Sequence, residues 1–193
     1  MQKNNKIKLK LKTMIYPLPA VMVSCGIKPE EYNIITISWT GTICSNPPMC
    51  YISIRPERHS YNIIKKTGEF VINLTTNELA YATDWCGFNS GKNNNKFKEM
   101  KLTPVKAQIV KVPLIKESPL NIECKLTEIK QLGSHDMFIA EVVAINADEK
   151  LYNNETGLFK LIDSEPISYC NGKYYNLGNR IGKFGYSVEK KEN

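Results

Sequence analysis

Residues 120–132 and 137–147 are two long runs rich in β-branched side chains, joined by Gly133-Ser-His-Asp136. Runs of this kind on either side of a short glycine-containing turn pair as an antiparallel hairpin. Arms this long commit the chain to an antiparallel sheet, and the other segments agree. Strands are expected at 20–27, 34–39, 49–54 and 70–74, with shorter ones from 109 onward and between 158 and 169. The alternation Lys6-Ile-Lys-Leu-Lys-Leu-Lys12 has period two and predicts a further strand with one wet face. Ser45-Asn-Pro-Pro48 interrupts the pairing between 34–39 and 49–54, because proline cannot donate to a ladder. Short helices fit at 60–67, with Ile63 and Ile64 inward and Gly68 as the stop, and at 76–85, with Thr76 as the cap. Residues 87–95 read as a loop, and 172–184 as a Gly- and Tyr-rich closing segment. Many antiparallel strands with a few short helices make a mainly β fold, a closed or partly closed barrel. The 193 residues suit a single domain, 1–193, and no repeat or linker divides them.

Charge and cysteine usage narrow the partners. The formal charge is +7, but much of the excess lies in the tails, at Lys3, Lys6, Lys8, Lys10, Lys12, Lys190 and Lys191. The central cations are dispersed and not interleaved with aromatics, which speaks against a nucleic-acid partner. Cysteines 25, 44, 50, 86, 124 and 170 form no C-x-x-C pair or zinc-knuckle spacing, so no metal is expected. Free thiols in a cytoplasmic protein are the reading they support. The basic start, the apolar run 14–23 and Ser24-Cys25-Gly26 imitate a lipoprotein signal, but Pro17 and Pro19 break the run, and cleavage would remove an expected strand. No run approaches the roughly 18 apolar residues of a membrane span.

Two constellations carry chemistry. Thr36, Ser38, Trp39, Thr40 and Thr42 sit at the end of a strand, where such residues are equally at home as plain β-structure or as a hydrogen-bonding wall for a flat polar heterocycle. Arg55, Arg58, His59 and Ser60 stand at a helix start, either as surface charge and a cap or as a phosphate site, with Ser90, Gly91 and Lys92 as a second lip. His135 on the hairpin turn, beside Asp136, is solvated unless the turn folds over a ligand. Gly87-Phe-Asn-Ser-Gly-Lys92 mimics a P-loop but is one residue short, lacks the hydroxyl and follows a helix. No G-x-G-x-x-G follows a strand, so a Rossmann site is unsupported. Neither histidine pairs with a nucleophile by sequence logic, which leaves hydrolysis and acyl transfer without support.

The chain resembles the flavin reductase-like, FMN-binding split-barrel family, most closely its flavoredoxin branch. The matching pieces are Pro17-Leu-Pro-Ala-Val21, Thr36-Ile-Ser-Trp-Thr-Gly-Thr42, Asn46-Pro-Pro48, Ile52-Ser-Ile-Arg-Pro-Glu-Arg-His-Ser-Tyr61, Phe70-Val-Ile-Asn-Leu74, Cys86-Gly87 with Ser90-Gly91 and Lys96-Phe97, Leu132-Gly-Ser-His-Asp-Met-Phe138, and Leu177-Gly178 to Phe184-Gly185. Each is weak alone; their order and spacing together are specific. The resemblance implies a six-stranded antiparallel Greek-key barrel, a homodimer, and FMN bound without a covalent link near the subunit interface. It implies that Thr36, Ile37, Ser38, Trp39, Thr40 and Thr42 border the isoalloxazine and ribityl chain. Ser53 joins the cofactor contacts, and Arg55, His59, Ser60, Ser90 and Lys92 hold the phosphate. His135 would lie at the exposed face of the ring as the catalytic residue. Asn93-Asn-Asn95 departs from the acidic residue that often precedes Lys-Phe in this loop. The implied activity is an FMN-dependent oxidoreductase taking electrons from NAD(P)H or a reduced carrier protein to flavin, ferric iron or a redox partner. The alternative is an electron-carrier flavoprotein without nicotinamide turnover.

Overall fold

The computed structural model describes residues 5–188; Lys3, Lys190 and Lys191 lie outside them. In chain order the first strands are β1 (Leu18–Pro19), β2 (Val21–Cys25), β3 (Asn33–Ile37), β4 (Thr40–Ser45) and β5 (Pro48–Ile54). α1 (His59–Thr67), β6 (Glu69–Leu74), α2 (Ala80–Phe88) and α3 (Lys96–Glu99) follow. The short pair β7 (Pro104–Val105) and β8 (Leu114–Ile115) precedes the long arms β9 (Leu120–Gln131) and β10 (Asp136–Ala147). β11 (Tyr152–Asn153), β12 (Leu158–Phe159), β13 (Ile167–Cys170) and β14 (Lys173–Asn176) come last.

The expected hairpin forms, pairing Asp136 with Gln131 at its turn and Ala147 with Leu120 at its far end. Two register shifts, at Ile139/Ala140 and Val142/Ala144, interrupt the ladder; irregularities of this kind bend a ribbon and increase its twist. The hairpin is the centre of an antiparallel sheet ordered β3-β2-β6-β9-β10-β5-β4. Its end strands, β3 and β4, do not pair with each other. They are joined through Ser38-Trp39, and the Ser53 N–H donates to the Trp39 carbonyl at 2.9 Å. The sheet thus curls until its ends meet at a seam without closing.

The sheet has seven strands where six were expected. Thr40 and Thr42, expected at the end of the strand over 34–39, belong instead to β4, a separate strand that pairs with β5 from Thr40↔Ile52 to Ser45↔Pro48. Ser45-Asn-Pro-Pro48 is therefore the turn of a hairpin, with the prolines at its tip and strand start, where a missing donor costs little. The strand expected at 6–12 is absent. Ile7 is 83% and Leu11 102% exposed; alternation assigns faces to a strand but supplies no neighbour to pair with. α2 starts at Ala80, four residues after Thr76, which instead accepts the Leu79 N–H in the preceding turn. Gly87 and Phe88, expected in a loop, complete α2.

One face of the curled sheet is the interior. Val23, Ile35, Ile52, Ile54, Phe70, Ile72, Cys124 and Phe138 fill it, with Tyr61 and Ile64 of α1 closing one end. α2 and α3 cover the outer face of β2 and β3 through Met22, Ile34, Cys86 and Phe97. Double coverage explains why β2 is buried at every position, its one polar side chain, Ser24, donating to the Pro113 carbonyl at 2.6 Å. All six cysteines are free, and four of them are buried. No helix among the described residues is long and apolar enough to cross a membrane.

Candidate functional site

A cleft of about 320 Å³ opens at the seam, between Ile35 to Trp39 on one side and Ser53 to Arg55 on the other. Arg58, Gly87 and His135 complete its floor and rim, and Tyr169 and Tyr174 line it from the C-terminal hairpin. The Thr36 hydroxyl donates to the Thr83 carbonyl of α2, which braces the β3 wall against the helix outside it. The rings of Trp39 and His135 lie 4.2 Å apart between centroids. His135 is carried there by a turn whose base is fixed: Asp136 is buried, and Tyr61 Oη donates to its Oδ2 at 2.6 Å. Burial pushes the His135 pKa below its ordinary value, the Arg55 guanidinium adds to this, and Glu57 opposes both.

A second pocket, of about 220 Å³, adjoins the first, sharing Ile35 and Arg58. It is built on the start of α1, with Arg58, His59 and Ser60 facing Asn89, Ser90 and Gly91. Arg58 is the N-cap and makes no side-chain cap bond; the Tyr61 N–H donates to the Arg58 carbonyl at 2.9 Å, which leaves the amides of His59 and Ser60 to face an anion. Its guanidinium donates instead to the Gly87 carbonyl at 2.7 Å, which holds positive charge between the two cavities. Ser60 lies inside the helix, not at the cap, and its Oγ accepts from Asn33 Nδ2 at 2.8 Å. The other carboxamide atom, Asn33 Oδ1, is buried without a protein partner. A Cβ at Gly91 would lie 2.1 Å from it, so only glycine lets the loop close over this atom. Behind the pocket, Lys96 is 2% exposed, and its ammonium donates to the carbonyls of Ile34 at 2.7 Å and Cys86 at 2.6 Å.

The expected residues fall into three groups. Thr36, Ile37, Ser38, Trp39, Ser53, Arg55 and His135 share the first cleft, and His59, Ser60 and Ser90 share the second. Thr40, Thr42 and Lys92 line neither. Thr40 is turned inward, donating to the Tyr51 carbonyl at 2.6 Å; Thr42 is exposed on β4, a strand that was not foreseen. Lys92 is exposed, with its backbone N–H bonded to Ser90 Oγ at 3.3 Å. Sequence reasoning missed Asn33, Gly87, Lys96, Tyr169 and Tyr174 as site residues. The Lys96-Phe97 pair carried a signal, as part of the family pattern; the tyrosines carried only that of a Tyr-rich closing segment.

Residues 13–178 match the family described as flavin reductase like domain. A protein of Archaeoglobus fulgidus is 32% identical over 131 residues, covering 68% of this chain and 73% of that protein. Among solved structures, the flavoredoxin of Desulfovibrio vulgaris (Miyazaki F) superposes with a TM-score of 0.86 at 29% identity, covering 95% of this chain and 100% of that one. Nitrilotriacetate monooxygenase component B from Bacillus cereus gives 0.78 at 25% identity, covering 88% of both chains. With its sheet open at the seam and two clefts gathered there, the chain belongs to the flavin reductase-like family of split-barrel flavoproteins.

Proposed function

We propose that the chain holds FMN across the two cavities and works as an oxidoreductase, taking electrons from NAD(P)H or a reduced carrier protein and passing them to a second flavin, ferric iron or a redox partner. The observation that carries this reading is adjacency: a walled cleft suited to a planar ring opens into a cationic pocket suited to a phosphate, with Arg58 between them. The donors of the second pocket support the fit, since the Arg58 guanidinium and the amides that open α1 suit a phosphate, whose oxygens accept. In this reading Thr36 to Trp39 and Ser53 border the ring and ribityl chain. Arg58, His59, Ser60 and Ser90, with the α1 amides, hold the phosphate, and Arg55 lies at the ring cleft. Bound FMN would supply the redox chemistry, accepting a hydride and releasing electrons. The chain's part is to orient the ring, exclude water and manage a proton. His135 is suited to the last role by its place, on the rim of the cleft with its ring beside that of Trp39. We further propose that it acts as a homodimer in the cytoplasm.

The test is a visible spectrum of the purified protein. A yellow preparation, or a colourless one that takes up added FMN, is expected; a protein that binds no FMN sinks the proposal. The flavoredoxin likeness at 29% identity favours a second reading, an electron carrier without nicotinamide turnover. Anaerobic mixing separates the two: bleaching by NADH or NADPH supports the reductase, and bleaching only by a reduced carrier protein supports the carrier.

A further inference from the structure

Three successive parts of the site are anchored on one face of α2. Thr36 of β3 donates to the Thr83 carbonyl, Arg58 to the Gly87 carbonyl, and Tyr174 Oη to Asp84 Oδ1 at 3.1 Å. The first two hold the inner wall and the shared cation. The third reaches an element outside the seven-stranded sheet. β13 and β14 form, with β1, a separate three-stranded sheet, in which Tyr169 pairs directly across from Tyr174. Their rings meet edge-on with centroids 5.5 Å apart, and both line the ring cleft.

The attachment of this hairpin is lopsided. β13 is tied down at its start, where the Ile167 N–H donates to the Thr75 carbonyl at 3.2 Å, and along its length by pairing with Leu18 and Pro19. β14 is the outer strand and largely exposed. The Tyr174 hydroxyl carries it to the barrel. Burial, then the hydrogen bond to Asp84, pushes the Tyr174 pKa up to about 12, so the phenol stays a donor across the physiological range.

We propose that the Tyr174–Asp84 hydrogen bond is a latch that fixes the β13–β14 hairpin as the outer wall of the ring cleft, making Tyr174 and Asp84 positioning residues for the planar ring held there. They act through Tyr169, which Tyr174 steadies, and through the width of the gap between hairpin and α2. The inference rests on the flavin reading of the cleft.

Three variants test it: Tyr174→Phe keeps the ring and removes the donor, Asp84→Ala removes the acceptor, and Asp84→Asn keeps an acceptor oxygen. FMN release is followed by the recovery of flavin fluorescence after dilution, and backbone hydrogen exchange is followed in residues 173–176. Losing one net hydrogen bond should speed release by about three- to tenfold in Tyr174→Phe and Asp84→Ala. Exchange at 173–176 should rise in the same two variants, while Asp84→Asn stays near the native protein on both measures. Native-like release and exchange in Tyr174→Phe and Asp84→Ala would overturn the latch. If the native protein quenches no FMN fluorescence, the flavin reading has failed on its own account. Exchange at 173–176 then decides the latch alone, faster exchange in the two variants supporting it and unchanged exchange overturning it.

Discussion

Lys96 shows how a single side chain is shaped by its surroundings. Burial pulls its pKa down to about 8 from an ordinary 10.5, opposed by Cys86 and Cys25 and aided by Arg58. Between those two values the unfolded chain holds more protons at this site than the folded one, so the site's contribution to stability rises with pH through that window. Urea unfolding of the native protein and of Lys96→Met should therefore diverge in the native protein's favour as pH is raised from about 8 toward 10.5. His135 is depressed as well, by burial first and Arg55 second. In an NMR titration its imidazole should turn over below the ordinary histidine value, and Arg55→Ala should move the midpoint up. The same sign rule says that the stability His135 contributes is present above its unfolded pKa and falls as pH drops below it. That His135 reaches a cleft was legible only as a possibility: a turn histidine has no sequence mark that distinguishes solvent from a site. Its neighbours decide the matter, namely Asp136 tied to Tyr61 and the Trp39 ring alongside.

At the scale of elements, the irregular stretch between β7 and β8 is held by a buried carboxylate. Glu123 of β9 accepts from the backbone N–H groups of Gln108, Ile109 and Val110 and from Asn146 Nδ2 at 2.7–2.9 Å. Burial raises its pKa, but these donors outweigh it and leave the group below its ordinary range. Its stabilisation is present above the unfolded carboxylate pKa and lost as pH falls through the folded one. Glu123→Gln, which cannot accept equally at both positions, should lose about 1.5–3 kcal/mol at neutral pH by denaturant unfolding. The deficit should shrink in acid as the native carboxylate protonates. The elements most legible in the sequence were those with internal logic: the 12-residue arms β9 and β10, and α1 with its left-handed Gly68 stop. β4 was not legible, because hydroxyl residues serve loops and strands alike and only the partner strand β5 decides. The 6–12 segment failed for the converse reason, having the pattern without a partner.

For the molecule as a whole, the proposed dimer has a physical motive. Ile15 stands exposed in an apolar groove lined also by Met14, Tyr16, Leu18, Trp39 and Tyr51, surface that a second copy would cover. Light scattering should give about twice the chain mass of 22.0 kDa, and a monomer carrying full FMN would count against the proposal. The wall and the pocket of the site were readable as residue types near a strand end and a helix start. What joins them, Arg58 held by Gly87 and Asn33 pressed under Gly91, depends on contacts between distant segments. The seam has one more consequence. β3 pairs with β2 on one side only, and beyond the single Ser53–Trp39 bond its other edge borders the cleft. An open edge of this kind is a template for strand addition by other chains. In the proposed reading a ring seated there would stand where a neighbouring strand would lie, and occupancy of the cleft would shield that edge from other chains.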